Sequence, residues 1–200
     1  MLNKIADYLG VSPQVVIIAI VVFVVLFIIL YIKISRDEKK GEDSQEKADI
    51  RKLIDNVVPD GKDYIAAYAH SKEVYGSRTM KREVYHYYAV GFRQDQTDHM
   101  WVIPIGVEAG KIVYTQAMRM SAENLAYVGG DWYQLALHYP GEKQPYVIMV
   151  SPSNTKMGKE CQVNIQQPEA AEAFKTFSAA FQANVNGTLG VDKKGRKLKK

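Results

Sequence analysis

Apolar side chains run along this chain in three rhythms, and each rhythm predicts a different element. Positions 15–32 are uninterrupted, eighteen residues without a charge and almost all aliphatic or aromatic. At a rise of about 1.5 Å per residue, a helix of that length reaches ~27 Å, close to the hydrocarbon thickness of a bilayer. Ser12 and Pro13 supply a cap and a first-turn residue, while Lys33 and Arg36 stand where cationic stems snorkel to an interface. The reading is an uncleaved transmembrane helix, because Tyr31-Ile32-Lys33-Ile34 offers no small-x-small cleavage pair.

The second rhythm is helical. Ala48, Ile50, Leu53, Ile54 and Val57 recur at that spacing until Pro59-Asp60-Gly61 breaks it, which predicts a short amphipathic helix. Near the other end Pro168 opens a stretch in which Ala170, Phe174, Phe177, Phe181 and Val185 share one stripe, with Gly187 placed to stop the helix.

Between these helices the period is two. It predicts strands over 64–70, 82–93, 100–107, 111–118, 132–139, 146–151 and 161–165, each rich in Val, Ile, Tyr or Trp. Glu108-Ala109-Gly110 and Pro140-Gly141-Glu142-Lys143 read as hairpin loops, and Gly129-Gly130-Asp131 as the turn that introduces the fifth strand. Val84, His86, Tyr88, Val90 and Phe92 on one strand and Trp101, Ile103, Ile105 and Val107 on the next are expected to share a single inward face.

The expected fold is therefore mainly β with α. An N-terminal transmembrane helix leads to an antiparallel seven-strand meander, a partial barrel or sandwich, closed by a C-terminal amphipathic helix. The expected organisation is a short extracytoplasmic segment over 1–14, the membrane helix over 15–32, a charged linker over 33–49, the β domain over 50–190 and a disordered basic tail over 191–200.

Seven antiparallel strands and one closing helix resemble the pleckstrin-homology-like superfold over about 64–186. In its phosphoinositide-binding members the loop between the first two strands carries clustered basic residues. Here that loop, 71–81, holds Lys72, Arg78 and Lys81, followed by Arg82, but the basic-x-Arg pair is missing because Met80 precedes Lys81-Arg82. Other members take peptides beside the terminal helix, and the resemblance implies a partner groove along Phe174, Phe177 and Phe181.

Charge adds orientation. Lys33, Arg36, Lys39 and Lys40 follow the apolar run and only Lys4 precedes it, which predicts a cytoplasmic C-terminal domain in the cell membrane. The stretch 35–49 has ten charged positions and no large apolar side chain, so it reads as a solvated spacer. Of the formal net charge of +4, the last nine residues supply more than all. Lys193, Lys194, Arg196, Lys197, Lys199 and Lys200 are the expected contacts to anionic lipid.

Candidate chemistry changes little. A single cysteine, Cys161, excludes an intramolecular disulfide framework. The chain has no GxSxG, Walker A, GxGxxG, HExxH or EF-hand pattern. Asp95, Asp98 and His99 are a polar hairpin run before a metal site, and His86 is a core or pocket-lining residue before a ligand. Tyrosines and a basic tail suggest nucleic acid, but without the tail the chain is near neutral and no such partner is expected. The expectation is a non-enzymatic binding or scaffolding module for a protein or peptide, without cofactor or metal. The alternatives are an enzyme on a membrane-associated substrate, with His86 and tyrosines lining its pocket, and a structural subunit of a membrane complex.

Overall fold

The computed structural model describes residues 12–42, 44–76, 80–108, 111–154 and 164–198, and the chain divides into two compact units, Met1–Lys39 and Lys40–Lys200. In the first, helix α1 (Pro13–Glu42) begins where Ser12 offers its carbonyl to the N–H groups of Val15 and Val16. Its stretch Gln14–Ile32 has a mean hydropathy of 3.7 and is long and apolar enough to cross a membrane. The large apolar side chains from Ile17 to Ile32 are exposed, between 46% at Ile32 and 71% at Phe23. The helix continues to Glu42 through residues expected to form a spacer. Glu, Lys and Arg are good helix formers, so a polar composition does not end a helix already nucleated.

Helix α2 (Gln45–Val57) opens the second unit. The Ser44 hydroxyl accepts from the Lys47 N–H at 3.3 Å, and Ile50, Leu53 and Ile54 are buried on one stripe. Arg51 pairs with Asp55 one turn on and donates to the carbonyls of Gly61 and Tyr64, tying the helix to the chain that leaves it. Gly61 is required there, because a Cβ would lie 2.1 Å from the Ile54 carbonyl oxygen.

Strands β1 (Ile65–Gly76), β2 (Lys81–Phe92), β3 (His99–Glu108), β4 (Lys111–Tyr114), β5 (Met118–Ser121), β6 (Tyr127–Asp131), β7 (Gln134–His138) and β8 (Tyr146–Met149) form one open antiparallel sheet. Its order is β4-β3-β2-β1-β8-β7-β6, with β5 also on β3. Strands β4 and β5 are one strand interrupted by a bulge. Val102 faces Met118 and Ile105 faces Tyr114, so three residues on one side oppose two on the other. The interruption lies opposite Pro104, which has no N–H to offer the ladder and accepts from the Thr115 N–H at 3.1 Å. The chain returns to the middle of the sheet, with β8 beside β1, so the path is not the simple meander expected.

The stretch read as a turn, Gly129-Gly130-Asp131, is part of β6. The turn falls two residues later at Trp132 and Tyr133, between the pair Asp131 and Gln134. The expected strand over 161–165 lies mostly outside the described residues, as does Cys161. Ile165–Gln166 forms β10, paired with β9 (Ser153–Asn154). Helix α3 (Pro168–Leu189) runs past Gly187 and ends at Gly190, whose φ of 66° is left-handed. The Val191 N–H returns to Asn186 and the Gly190 N–H to Gly187, a Schellman closure.

Both faces of the sheet are covered. Phe92, Val90, Met100, Val102, Leu135, Leu137 and Ile148 pack under Phe174, Phe177, Phe181 and Val185 of α3. Tyr68, Ala89, Ile103 and Ile105 pack under Ile50, Leu53 and Ile54 of α2. The single inward face is thereby corrected. The register sets Val90 opposite Val102 and Ala89 opposite Ile103, so Val90 and Ile103 point to opposite sides.

Two side-chain amides take the place of missing strand partners. Strands β1 and β8 meet at one pair, His70 and Met149. Beside it Gln167 accepts from the Tyr68 N–H at 2.9 Å and donates to the Tyr68 carbonyl at 2.8 Å. On β6, Asn186 does the same for Val128, with both bonds at 2.8 Å. Each amide satisfies a backbone pair that burial would otherwise leave costly.

Candidate binding cleft beside the β1–β2 hairpin

The face of the sheet that carries α3 becomes polar and aromatic towards the outer half of β1 and β2. Ser71 and His86 are cross-strand partners, and Glu73 follows two residues along β1. Alternation places these three and Tyr88 on one face, and Tyr146 arrives from β8. The Ser71 and Tyr88 hydroxyls lie 3.4 Å apart, and the Tyr88 and Tyr146 rings are 5.1 Å between centroids. The Glu73 carboxylate accepts from the Tyr75 hydroxyl and lies 3.7 Å from His86 Nε2. A cleft of about 500 Å³ opens here, lined by Glu73, Tyr139, Pro140, Glu142, Pro145 and Tyr146.

Burial sets the protonation of its phenols. It pushes Tyr146 up from the ordinary tyrosine value, and the hydrogen bond with Tyr88 and the negative Glu73 push further the same way. Tyr88 is raised by burial, offset in part by its bonds to Ser71 and Tyr146. Tyr139 is raised by burial as well, and its hydroxyl meets Met120 Sδ at 2.9 Å. These groups stay protonated at neutral pH; the Tyr139 hydroxyl donates to Met120 Sδ and the Tyr88 and Tyr146 hydroxyls are bonded to each other, so what they bring to the cleft is uncharged ring surface. Ser71, buried and directed at Tyr88, is not bonded to His86, so the three residue types of a Ser-His-Glu relay share a face without its geometry. Carboxylates beside aromatic rings are the chemistry that receives a cation.

A second cluster surrounds the β2–β3 loop. His99 is held between Asp98 at 3.1 Å and the Tyr64 hydroxyl at 2.8 Å, with both rings buried. Asp95 pairs with Arg93 at 2.7 Å, which lowers the Asp95 carboxyl below its ordinary range. Asp95 is thus committed to Arg93 while Asp98 and His99 hold each other, and no three His, Cys, Asp or Glu side chains converge among the described residues.

The partner groove expected along Phe174, Phe177 and Phe181 is corrected. These rings are between 0% and 1% exposed; Phe174 meets Phe92 edge-on at 5.3 Å, Phe177 is tilted against it at 5.0 Å, and Phe181 stacks on Phe177 at 5.4 Å. They close the core and offer no surface to a partner. The tail expected to be disordered makes a tight turn as far as the described residues go. Val191 bridges Lys197, and the Asp192 carboxylate accepts from the N–H groups of Lys194 and Arg196 at 2.9 Å and from the Arg196 guanidinium at 2.8 Å. Lys193, Lys194 and Lys197 stand exposed on this turn, Arg196 is paired, and Lys199 and Lys200 lie outside the described residues.

His86 and Tyr88 were visible as candidates in the sequence. Glu73, Tyr139 and Tyr146 were missed, because pairing across β1, β2, β7 and β8 brings them together. Neither the scan of protein-family models nor the search of curated proteins found a match to this chain.

Proposed function

We propose that this chain is a single-pass protein of the cell membrane whose C-terminal domain faces the cytoplasm. There it serves as a binding or scaffolding module for a protein or peptide partner. The observation that carries the binding reading is the cleft, where Glu73 and Glu142 stand beside protonated tyrosines in about 500 Å³ of open space. A partner segment bearing Lys or Arg matches that surface. The anchor reading is supported by Gln14–Ile32, and the orientation by the four cationic residues that follow it. A sheet carrying a C-terminal helix supports the pleckstrin-homology-like comparison, and α2 on the opposite face is an addition to that plan. In this reading Lys193, Lys194 and Lys197 supply a weak attraction to anionic lipid.

The test is a photo-crosslinker at Gln144, which is exposed in the wall of the cleft, in the full chain and in native membranes. The expected result is a discrete protein adduct that a Lys/Arg-rich peptide competes away and that Glu73→Gln weakens. Adducts no stronger than those from an exposed position such as Gln116 would overturn the binding reading. Turnover of a substrate by the purified chain, abolished by His86→Ala with the fold intact, would replace it by an enzyme.

A further inference from the structure

A strand without a neighbour leaves N–H and C=O groups unpaired, and this chain covers three such places with side-chain amides. Besides Gln167 on Tyr68 and Asn186 on Val128, Asn124 serves the outer side of β5, accepting from the Ser121 N–H at 3.0 Å and donating to the Arg119 carbonyl. Strand β4 ends the sheet and has no such cap among the described residues. Thr115 donates to the carbonyl of Pro104, its register neighbour, so Thr115 and, two residues back, Val113 turn their polar groups to β3. Ile112 and Tyr114 therefore turn theirs outward, away from the sheet. Val113 is 37% exposed and Tyr114 55%. The side chains of Ile112 and Tyr114 stand on the α2 face, paired with Val107 and Ile105. There they border a groove of about 390 Å³ with Leu53 and Val57 of α2, rimmed by Asp49 and Lys52.

Bonding to Ile112 and Tyr114 takes an antiparallel strand that itself has two outward residues with one between them. Strand β4 is such a strand. Turned about a two-fold axis through Val113, a second copy sets Ile112 of each chain opposite Tyr114 of the other, each pair exchanging both of its N–H···O bonds, and Val113 opposite Val113. An aliphatic residue opposite an aromatic one is a favourable cross-strand pair. No like charges face each other, because position 111 falls opposite Thr115 and the groove rim carries one acid and one base. The bulge that begins after Tyr114 fixes the register, since a slipped pairing would run into it and lose bonds. We infer that β4 is the contact between two copies of this chain, paired antiparallel about Val113, each lending its Tyr114 ring to the groove beside the other's α2. Such a seam is short and holds weakly in dilute solution. Copies anchored in one membrane by α1, in the reading above, meet at a higher effective concentration.

The experiment uses the full chain, Cys161→Ser, in liposomes at a low ratio of protein to lipid, with one new cysteine. With Val113→Cys the two thiols face each other in a non-hydrogen-bonded pair, about 4.5 Å between Cα atoms and within disulfide range. With Thr115→Cys, at an equally exposed position, they lie roughly 13 Å apart along the strands. Mild oxidation is expected to link copies at 113 about tenfold faster than at 115. Tyr114→Pro removes an outward N–H that β3 does not use, a place where an edge strand accepts proline. It should slow linking at 113 about tenfold and leave the unfolding midpoint little changed. Tyr114→Ala keeps the backbone donor and should slow linking about threefold. Equal rates at 113 and 115, as association through α1 alone would give, would overturn the inference. So would a disulfide within one chain between Val113→Cys and a retained Cys161, which would put residues 155–163 of the same chain on this edge. Linking at 113 to a different protein only, in native membranes, would overturn it as well.

Discussion

Helices α1 and α3 each carry many apolar residues, yet they meet opposite surroundings. From Ile17 to Ile32 of α1 the large apolar side chains point in every direction and are exposed, whereas in α3 Phe174, Phe177 and Phe181 lie on one stripe and have almost no exposed surface. The difference is angular. A stripe of apolar groups is satisfied by one covering layer, here the sheet, while a full circumference needs a solvent that is itself apolar. Composition alone would have grouped the two helices together; periodicity separates them.

The comparison can be broken at its most expensive point. Phe177→Ala removes a ring packed against both Phe92 and Phe181, and the expected loss is about 3–5 kcal/mol of domain stability, read as a lower denaturant midpoint. An unchanged midpoint would mean that α3 does not depend on the sheet. Val22→Arg tests the other helix. It places a charge in the middle of Gln14–Ile32 and should cost about 2.5–3.5 kcal/mol of membrane insertion, measured by glycosylation-tagged insertion assays. If Val22→Arg instead lowered the stability of the β domain and left insertion alone, the roles of the two helices would need to be reassigned.

The smallest effect sharpens where the hold of α3 ends. Hydrogen bonds from the backbone and side chain of Arg196 bring the Asp192 carboxyl down to about 2. An unfolded Asp titrates near 3.9. Because the folded value is the lower one, this contribution to the turn is complete above about pH 4 and is lost as the pH falls through about 2. Amide exchange at Lys194 and Arg196 should therefore accelerate over that window, with Asp192→Asn showing the fast rate already at neutral pH.

Much of the architecture was legible because it is local. The spacing of Ile50, Leu53 and Ile54, the Phe stripe of α3 and the alternation in β1, β2 and β3 predicted elements that the structure contains. What failed depended on other strands. Gly129 and Gly130 signal a turn by composition, yet they pair with Ala136 and Leu135 as part of β6. The break between β4 and β5 comes from Pro104 on a neighbouring strand. Alternation says which residues of one strand share a face, but not which face of the next strand they join, and the register between β2 and β3 reversed the expected answer. The cleft is the extreme case. Its carboxylates and phenols come from segments more than sixty residues apart, brought together by the single junction of β1 with β8.

The amide of Asn186 has a chemical consequence for the ageing of this protein. Asn186 is followed by Gly187, and a glycine leaves the next backbone nitrogen unhindered for attack on the asparagine side chain, with release of ammonia. While α3 is intact, the helical backbone holds that nitrogen away from the side-chain carbon, and the amide is engaged with both polar groups of Val128. Any molecule in which the end of α3 opens exposes Asn186 to conversion into aspartate or isoaspartate. The new carboxylate has no N–H to give the Val128 carbonyl and brings a negative charge against it. Transient fraying at one helix end would then become a permanent covalent mark, and the edge of β6 would record how often the domain had opened.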